Sequence, residues 1–404
     1  MKREFICIAD GKLYICRDGK PEEMRSGVLE AYLRQVRDSA QRNEWKTSGE
    51  GAKFREAYVP GADAESRVAA VSSRVHCAAA DGDALLYSLS IDRTTGIYRR
   101  TEDSPSEGIV ISSGDYAYRE FDVYRGRMAV SASFAGESHI GVMPMGTTDC
   151  VIYTEGHCWD SRPVWSRTHP SRIYYCSAGL PENTQDEESS RPPDMSQMVT
   201  QMFTASAPVS KGPGAVMLLD TEAGTLDEVL ADDRYDFLQP QSMPDGSLYY
   251  IRRPYRSEPG ANPLGCLGDL LLLPVRLLGA LFGFLNVFTA KYSGKTLSRS
   301  AGTKQRDEGK MRIDGNLIDA EAELRANRSR GEENPGIIPH SWELRCQHPN
   351  GEDTLIHRGV LSYCADEETG AVLLSNGSAV LLLTPDGKEE KLLDLPHVSF
   401  LRRL

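Results

Sequence analysis

The sequence predicts an all-β protein, a six-bladed β-propeller closed by its N- and C-terminal strands and carrying helical and apolar insertions on one face. Three observations point there. Short runs rich in Tyr, Ile, Val and Leu recur between Asp-Gly, Asn-Gly and Gly turns, the pattern of strands joined by hairpins. The runs group in fours with a period of roughly 40 residues, the length of a propeller blade. Two incomplete groups remain at the chain ends, and together they make one complete group.

Taken in order, the first blade runs from Val75 to Ser113, with ALLYSLSID, GIYRRTED and EGIVISSG as its outer strands. The second, Tyr118 to Glu155, holds RMAVSASF, SHIGVMPM and DCVIYTEG. The third, Ser161 to Ala231, opens with RPVWSRTHPSRIYYCSA and closes with AVMLLDTEAG and LDEVLAD around an inserted loop. A fourth starts with FLQPQSMPDGSLYYIRRPY and resumes with SWELRCQHPNGEDTLIHRG, and the fifth is the compact stretch Val360 to Leu395. The C-terminal HVSFLRRL then supplies an inner strand for EFICIADG, KLYICRDG and KPEEMRS, and pairing the two ends removes the exposed sheet edges.

Two of these groups share a motif. Pro163, Val164, Trp165 and Ser166 are followed by Ile173, Tyr174 and Tyr175; the second copy has Pro240, Ser242, Pro244, Asp245 and Gly246, then Leu248, Tyr249 and Tyr250. The stretches 161–178 and 238–252 resemble the WD40-like repeat of TolB-type six-bladed propellers, where an inner xPxWSPDG strand precedes an IYY-type strand. The first copy departs from it by placing Thr168, His169, Pro170 and Ser171 where the PDG turn would stand. The resemblance implies a fold and a binding role, frequently for proteins, and brings no catalytic residue. The aromatic residues of the motif are expected to fill the wedge between neighbouring sheets.

The chain has 404 residues and a net charge of -12, enough length for one large domain. Binding nucleic acid in general requires a basic face, so the acidic balance argues against it. The N-terminal MKREFICIADG carries Lys2, Arg3, Glu4 and Asp10 without an apolar h-region, so a cytoplasmic protein is expected. Nine scattered cysteines without a CxxC pair read as buried, reduced thiols.

Insertions interrupt the blades at residues 27–65, 180–213 and 256–340. The first begins with a helical stretch in which Val28, Leu29, Tyr32, Leu33 and Val36 recur at helical spacing. The second is rich in Pro, Ser and acid and is expected to be disordered. The third contains the apolar run 264–290, long enough to span a bilayer, which needs ~20 apolar residues, although Asp269, Pro274, Arg276 and Asn286 interrupt it. Both ends of that run must return to one blade, which favours a hairpin or a surface-lying helix kinked at Pro274.

Its apolar side is formed by Leu264, Leu267, Leu270, Leu271 and Leu273 before the proline, and by Leu277, Leu278, Leu281, Phe282, Phe284, Leu285 and Phe288 after it. Lys291, Lys295 and Arg299 follow in a stretch without acid and would attract anionic lipid. The expected function is therefore a non-enzymatic scaffold, binding an as yet unidentified protein partner and attached peripherally or monotopically at the membrane. Gly279 and Gly283 offer a face for self-association instead, and packing within the chain is a third use. Residues 317–330 read as a solvated spacer helix.

Catalytic signatures are scarce: there is no GxSxG elbow, Walker A loop or HExxH. No catalytic residue, metal or cofactor is expected. His157, Cys158, Trp159 and Asp160, with His169 nearby, form the best candidate for a metal or nucleophile site, but their spacing fits no known ligand set and favours a polar rim. The alternative function is a lactonase-like hydrolase with a metal in the central funnel. The inner strands would bring Arg119, Glu120, Asp122, Arg162, Gln239, Gln241, Ser362 and His397 there, without the carboxylate cluster that calcium needs.

Overall fold

A computed structural model describes residues 4–47, 64–101, 104–180, 211–255, 310–313 and 316–404. Strands β1 (Phe5–Ala9), β2 (Lys12–Arg17) and β3 (Lys20–Glu23) form consecutive hairpins. Their turns are the Asp10-Gly11 and Asp18-Gly19 pairs, in which aspartate has φ 50 and glycine φ 75. Two successive positive φ values define the hairpin turn that matches strand twist, which is why Asp-Gly marks it in the sequence. Helix α1 (Gly27–Thr47) follows, then α2 (Ala64–Ala69).

Strands β4 (Ser73–Asp81), β5 (Ala84–Ile91), β6 (Thr94–Thr101) and β7 (Ser104–Ser113) form one antiparallel sheet. Next come β8 (Ala117–Tyr124), β9 (Arg127–Phe134), β10 (Glu137–Pro144) and the short β11 (Val151–Ile152), paired in that order. Strands β12 (Cys158–Trp165), β13 (Arg172–Gly179), β14 (Ala215–Asp220) and β15 (Thr225–Leu230) repeat the meander. A single parallel bridge, Ser138 to Trp159, joins β10 to β12.

Strands β16 (Tyr235–Ser242) and β17 (Leu248–Pro254) are separated from their later partners by a hairpin, β18 (Lys310–Ile313) and β19 (Asn316–Asp319), and by helix α3 (Ala320–Ser329). Those partners are β20 (Glu343–Gln347) and β21 (Asp353–Arg358), in the order β16-β17-β20-β21. The chain ends with β22 (Ser362–Ala365), β23 (Val372–Ser375), β24 (Val380–Leu383), β25 (Glu389–Leu393) and β26 (Val398–Arg403). Strand β26 leaves the preceding sheet and pairs antiparallel with β1, Phe5 opposite Arg403 and Cys7 opposite Leu401.

The core lies between consecutive sheets. Ala129 and Ile140 meet Trp165, Ile173 and Tyr175; Val216 meets Phe237 and Tyr250; Ile251 and Leu344 meet Tyr363 and Leu374. Phe5 and Leu401 pack on Leu373 and Val380. Trp165, Tyr175 and Tyr250 are buried in the core and Tyr174 and Tyr249 are half-buried against it; fully burying a large apolar side chain contributes about 1.5–3 kcal/mol. The departing turn of the first motif copy also closes its hairpin: Ser166 Oγ accepts from the Thr168 and His169 N–H groups, where Asp245 accepts from Ser247 N–H in the second copy.

The described residues fall into two units, one holding 4–27, 72–255 and 310–404 and the other holding 28–47 and 64–71. All strands belong to the first. In the second, Arg37 Nε reaches Glu65 Oε1 at 3.1 Å between α1 and α2. The helix expected over 317–330 begins later, because residues 316–319 pair with β18 and the Asp319 carboxylate caps the helix by accepting from Ala322 N–H. Nor is it a bare spacer: Ala320 and Leu324 pack on Ile318, Ile338 and Trp342, and buried Asn327 donates to the Gly336 and Ile338 carbonyls. The run 264–290, its basic flank Lys291, Lys295 and Arg299, and residues 181–210 lie outside the described residues. No helix among the described residues is long and apolar enough to cross a membrane.

Candidate functional site

Strands β4, β8, β12, β16, β22 and β26 are the first members of their four-strand groups, and all of them line one cavity of about 860 Å³. A shared backbone device turns side chains into it. The ladder skips a step between Val75 and Cys77, Tyr118 and Glu120, Ser161 and Val164, and Leu238 and Gln241. The skipped residues are His76, Arg119, Arg162 with Pro163, and Gln239 with Pro240, and every one lines the cavity. Bulges of this kind redirect side chains. In the two motif copies the proline, which has no N–H to offer the ladder, falls at the bulge.

The residue before each proline is left-handed, Arg162 at φ 51 and Gln239 at φ 53. Such a conformation costs about 1–3 kcal/mol and persists where neighbours hold it. Here Arg162 N–H donates to Glu120 Oε2 at 2.8 Å, Gln239 Nε2 donates to the Leu361 carbonyl at 3.0 Å, and the Tyr363 hydroxyl donates to the Gln239 carbonyl at 2.6 Å. Gln241 clamps the next strand by a reciprocal pair with Ala365, donating to its carbonyl at 2.7 Å and accepting from its N–H at 2.8 Å.

Six arginines line the cavity (Arg74, Arg119, Arg162, Arg167, Arg402 and Arg403) against four side-chain carboxylates, Glu120, Asp366, Glu367 and Glu368. Several are engaged. Arg162 lies 3.5 Å from Glu120, Arg167 reaches Glu367 at 2.8 Å, and Arg403 pairs with Asp366. Behind the wall, fully buried Asp122 binds Arg402 and Arg167 and accepts from Trp165 N–H at 2.9 Å. Burial alone would raise the Asp122 carboxyl, but Arg402 and Arg167 hold it below the usual carboxylate range.

Arg74 and Arg119 form no ion pair with a described carboxylate; Arg119 lies 5.9 Å over the Trp159 ring. Their charge is felt by His76, which burial and then Arg119 and Arg74 push down to about 4, so its ring is neutral at pH 7 and hydrogen-bonds Ser90 Oγ at 2.8 Å. The wall thiols are protonated: burial pushes Cys77 up to about 12 and raises Cys364 as well. A thiol in that state is a poor nucleophile. Chemically, the cavity is suited to holding anionic groups.

Of the inner-strand residues picked out in the sequence, Arg119, Glu120, Arg162, Gln239 and Gln241 meet at the cavity, with Asp122 behind them. Ser362 instead donates from its buried hydroxyl to the Val398 carbonyl, and His397 stands beside Asp10 at 3.1 Å. Sequence reasoning missed Arg74, His76, Arg167, Arg402 and Arg403; the Arg402-Arg403 pair within an inner strand was the available signal.

The candidate group at 157–160 is divided. Cys158 and Asp160 lie together, but their third member is His139 on β10. His169 instead hydrogen-bonds Thr168 Oγ1 at 2.9 Å, and the Trp159 ring carries Lys211 Nζ at 3.6 Å. His157 Nδ1 is held by Glu137 Oε1 at 2.7 Å.

No protein-family model matches the sequence, and no curated protein matches it. Among solved structures the chain is similar to TolB from Acinetobacter baumannii, at 10% identity and TM-score 0.46, over 99% of this chain and 64% of that one. It thus spans less than two thirds of that protein's length. A putative TolB from Agrobacterium tumefaciens is similar at 12% identity and TM-score 0.38, covering 80% and 87% of the two chains. A chain of a nidogen/laminin complex is similar at 8% identity and TM-score 0.44, covering 98% and 97%.

Proposed function

We propose that this chain is a non-enzymatic six-bladed propeller scaffold, closed by β26 on β1, which receives an acidic segment of a partner protein in its arginine-lined cavity. The observation that carries this reading is the inversion of charge: the chain as a whole is at -12, yet arginines outnumber carboxylates around the cavity. Arg74 and Arg119 are the groups available to a ligand carboxylate, and a guanidinium accepts one in bidentate fashion. The lining favours this over the funnel-metal hydrolase, since a calcium site requires converging oxygens rather than cations.

The insert 264–290 with Lys291, Lys295 and Arg299 would hold the scaffold peripherally at the cytoplasmic face of a membrane, a reading supported by the sequence alone. Replacing residues 256–339 by a short Gly-Ser linker is expected to abolish co-sedimentation with anionic liposomes; a variant that still pellets ends that part of the proposal.

The cavity is tested by fluorescence anisotropy with a labelled decaglutamate peptide. Binding that weakens as salt rises and is lost in the Arg74→Glu/Arg119→Glu variant supports the reading. An affinity unchanged by that double substitution, or no binding at low salt, overturns it.

A further inference from the structure

The bridge between β10 and β12 is the one parallel pairing among the described strands, and a cluster of ligating side chains sits beside it. His139 comes from β10. Cys158 and Asp160, two residues apart, come from β12 and share a face of that strand. One ligating atom from each of the three lies within 4.8 Å of the others.

Asp160 is 1% exposed. Its Oδ2 accepts from Thr154 Oγ1 at 2.6 Å, while Oδ1 is buried with no hydrogen-bond partner. A buried carboxylate oxygen left in that state is costly unless a cation takes it. Cys158 Sγ stands 3.9 Å from His139 Nδ1. Tetrahedral zinc, with bonds of ~2.3 Å to sulfur and ~2.0 Å to nitrogen, would place those two atoms about 3.5 Å apart, a small closure. The other ring nitrogen, Nε2, lies 3.5 Å from Glu137 Oε2, and the same carboxylate holds His157. A carboxylate on the outer N–H is the usual support of a metal-binding histidine, because it fixes the tautomer and frees the inner lone pair.

We propose that His139 Nδ1, Cys158 Sγ and Asp160 Oδ1 bind one zinc-class divalent cation, with Glu137 orienting His139 and water completing the tetrahedron. The mixed nitrogen, sulfur and oxygen set selects a borderline-soft metal over calcium or magnesium, which take oxygen ligands. Binding deprotonates the Cys158 thiol and releases the proton to solvent. The ion cross-links β10 to β12 where one backbone bridge joins them. This revises the expectation that the 157–160 group is a polar rim and that the chain holds no metal.

The test is titration of chelator-stripped, full-length protein with Co²⁺, followed by Zn²⁺. One equivalent of Co²⁺ with a thiolate charge-transfer band, displaced by Zn²⁺, is expected in the wild type and in Cys150→Ser, a thiol outside the cluster. Cys158→Ser, with circular dichroism reporting its fold, should lose the band, and Asp160→Asn should lose stoichiometric binding. Absence of stoichiometric Co²⁺ binding, or a band that survives in folded Cys158→Ser, overturns the proposal. Should Cys158→Ser fail to fold, Asp160→Asn decides, and unchanged affinity there overturns it equally.

Discussion

Asp122 and Asp160 are buried carboxylates on neighbouring inner strands, β8 and β12, and they are treated in opposite ways. Asp122 is held by Arg167, Arg402 and the Trp165 N–H, so its charge is compensated from three directions. Asp160 accepts one well-formed hydrogen bond, from the Thr154 hydroxyl, while its Oδ1 has none and no described arginine or lysine pairs with it; burial raises its carboxyl above the usual range although Thr154, Ser177, Cys158 and His139 pull it the other way. A structural carboxylate is satisfied within the chain, whereas one left unpaired in a ring of ligating atoms is prepared for something that arrives from outside.

The sharpest way to break this contrast is to remove Asp122. Asp122→Ala leaves Arg167 and Arg402 without their shared partner, and breaking a buried pair in this way costs about 3–5 kcal/mol. Urea unfolding should show a loss of that order, and a loss near zero would mean that the arginines are paired elsewhere. Next in size is Asp160→Asn, which should weaken zinc-loaded protein while leaving metal-free protein as stable as the wild type or more so.

The pH dependence of the two sites has opposite sign. Asp122, with its lowered carboxyl, contributes stability that is present above the usual carboxylate range and is lost as pH falls through the lowered value. Asp160, raised in the metal-free fold, contributes stability that is present below that range and is lost as pH rises through the raised value. Urea midpoints of chelated protein should therefore lose their acid-side slope in Asp122→Asn and the slope above the carboxylate range in Asp160→Asn. The same slopes in both variants would erase the distinction.

Smaller effects follow for the supporting groups. Glu137→Gln, which weakens the hold on His139 without touching a ligand, should lower zinc affinity by about 10–100-fold in a competition titration. Arg74→Glu/Arg119→Glu should change stability by about 0.5 kcal/mol or less, because neither guanidinium has a described carboxylate to lose. A larger loss would show those arginines to be structural rather than available for a ligand.

The two sites also differ in how far they could be read from the sequence. The cavity was partly legible: the period places Arg119, Arg162, Gln239 and Gln241 on inner strands, and the motif prolines stand at two of the bulges, but four of the six arginines, Arg74, Arg167, Arg402 and Arg403, were not picked out. The pairing of Arg402 with Asp122, 280 positions apart, was not, because it depends on the last strand lying beside the first groups. The metal cluster was only half legible. Cys158 and Asp160 stand out locally, but His139 is brought in by the Ser138–Trp159 bridge, and no spacing rule covers a ligand delivered across strands. Helix α3 was expected and is present, but its start was read too early for a local reason: Leu317 to Asp319 pair with β18 as a strand, and Asp319 becomes the cap.

Thermal unfolding with and without excess Zn²⁺, run side by side on wild type, Asp122→Asn and Asp160→Asn, tests the difference between the carboxylates most directly. A ligand that binds only the folded state at 100 times its dissociation constant stabilises by about 2.7 kcal/mol. Zinc should raise the midpoint of the wild type and of the already weakened Asp122→Asn, and leave Asp160→Asn where it was. An equal zinc shift in Asp160→Asn would contradict the assignment of that carboxylate to the metal.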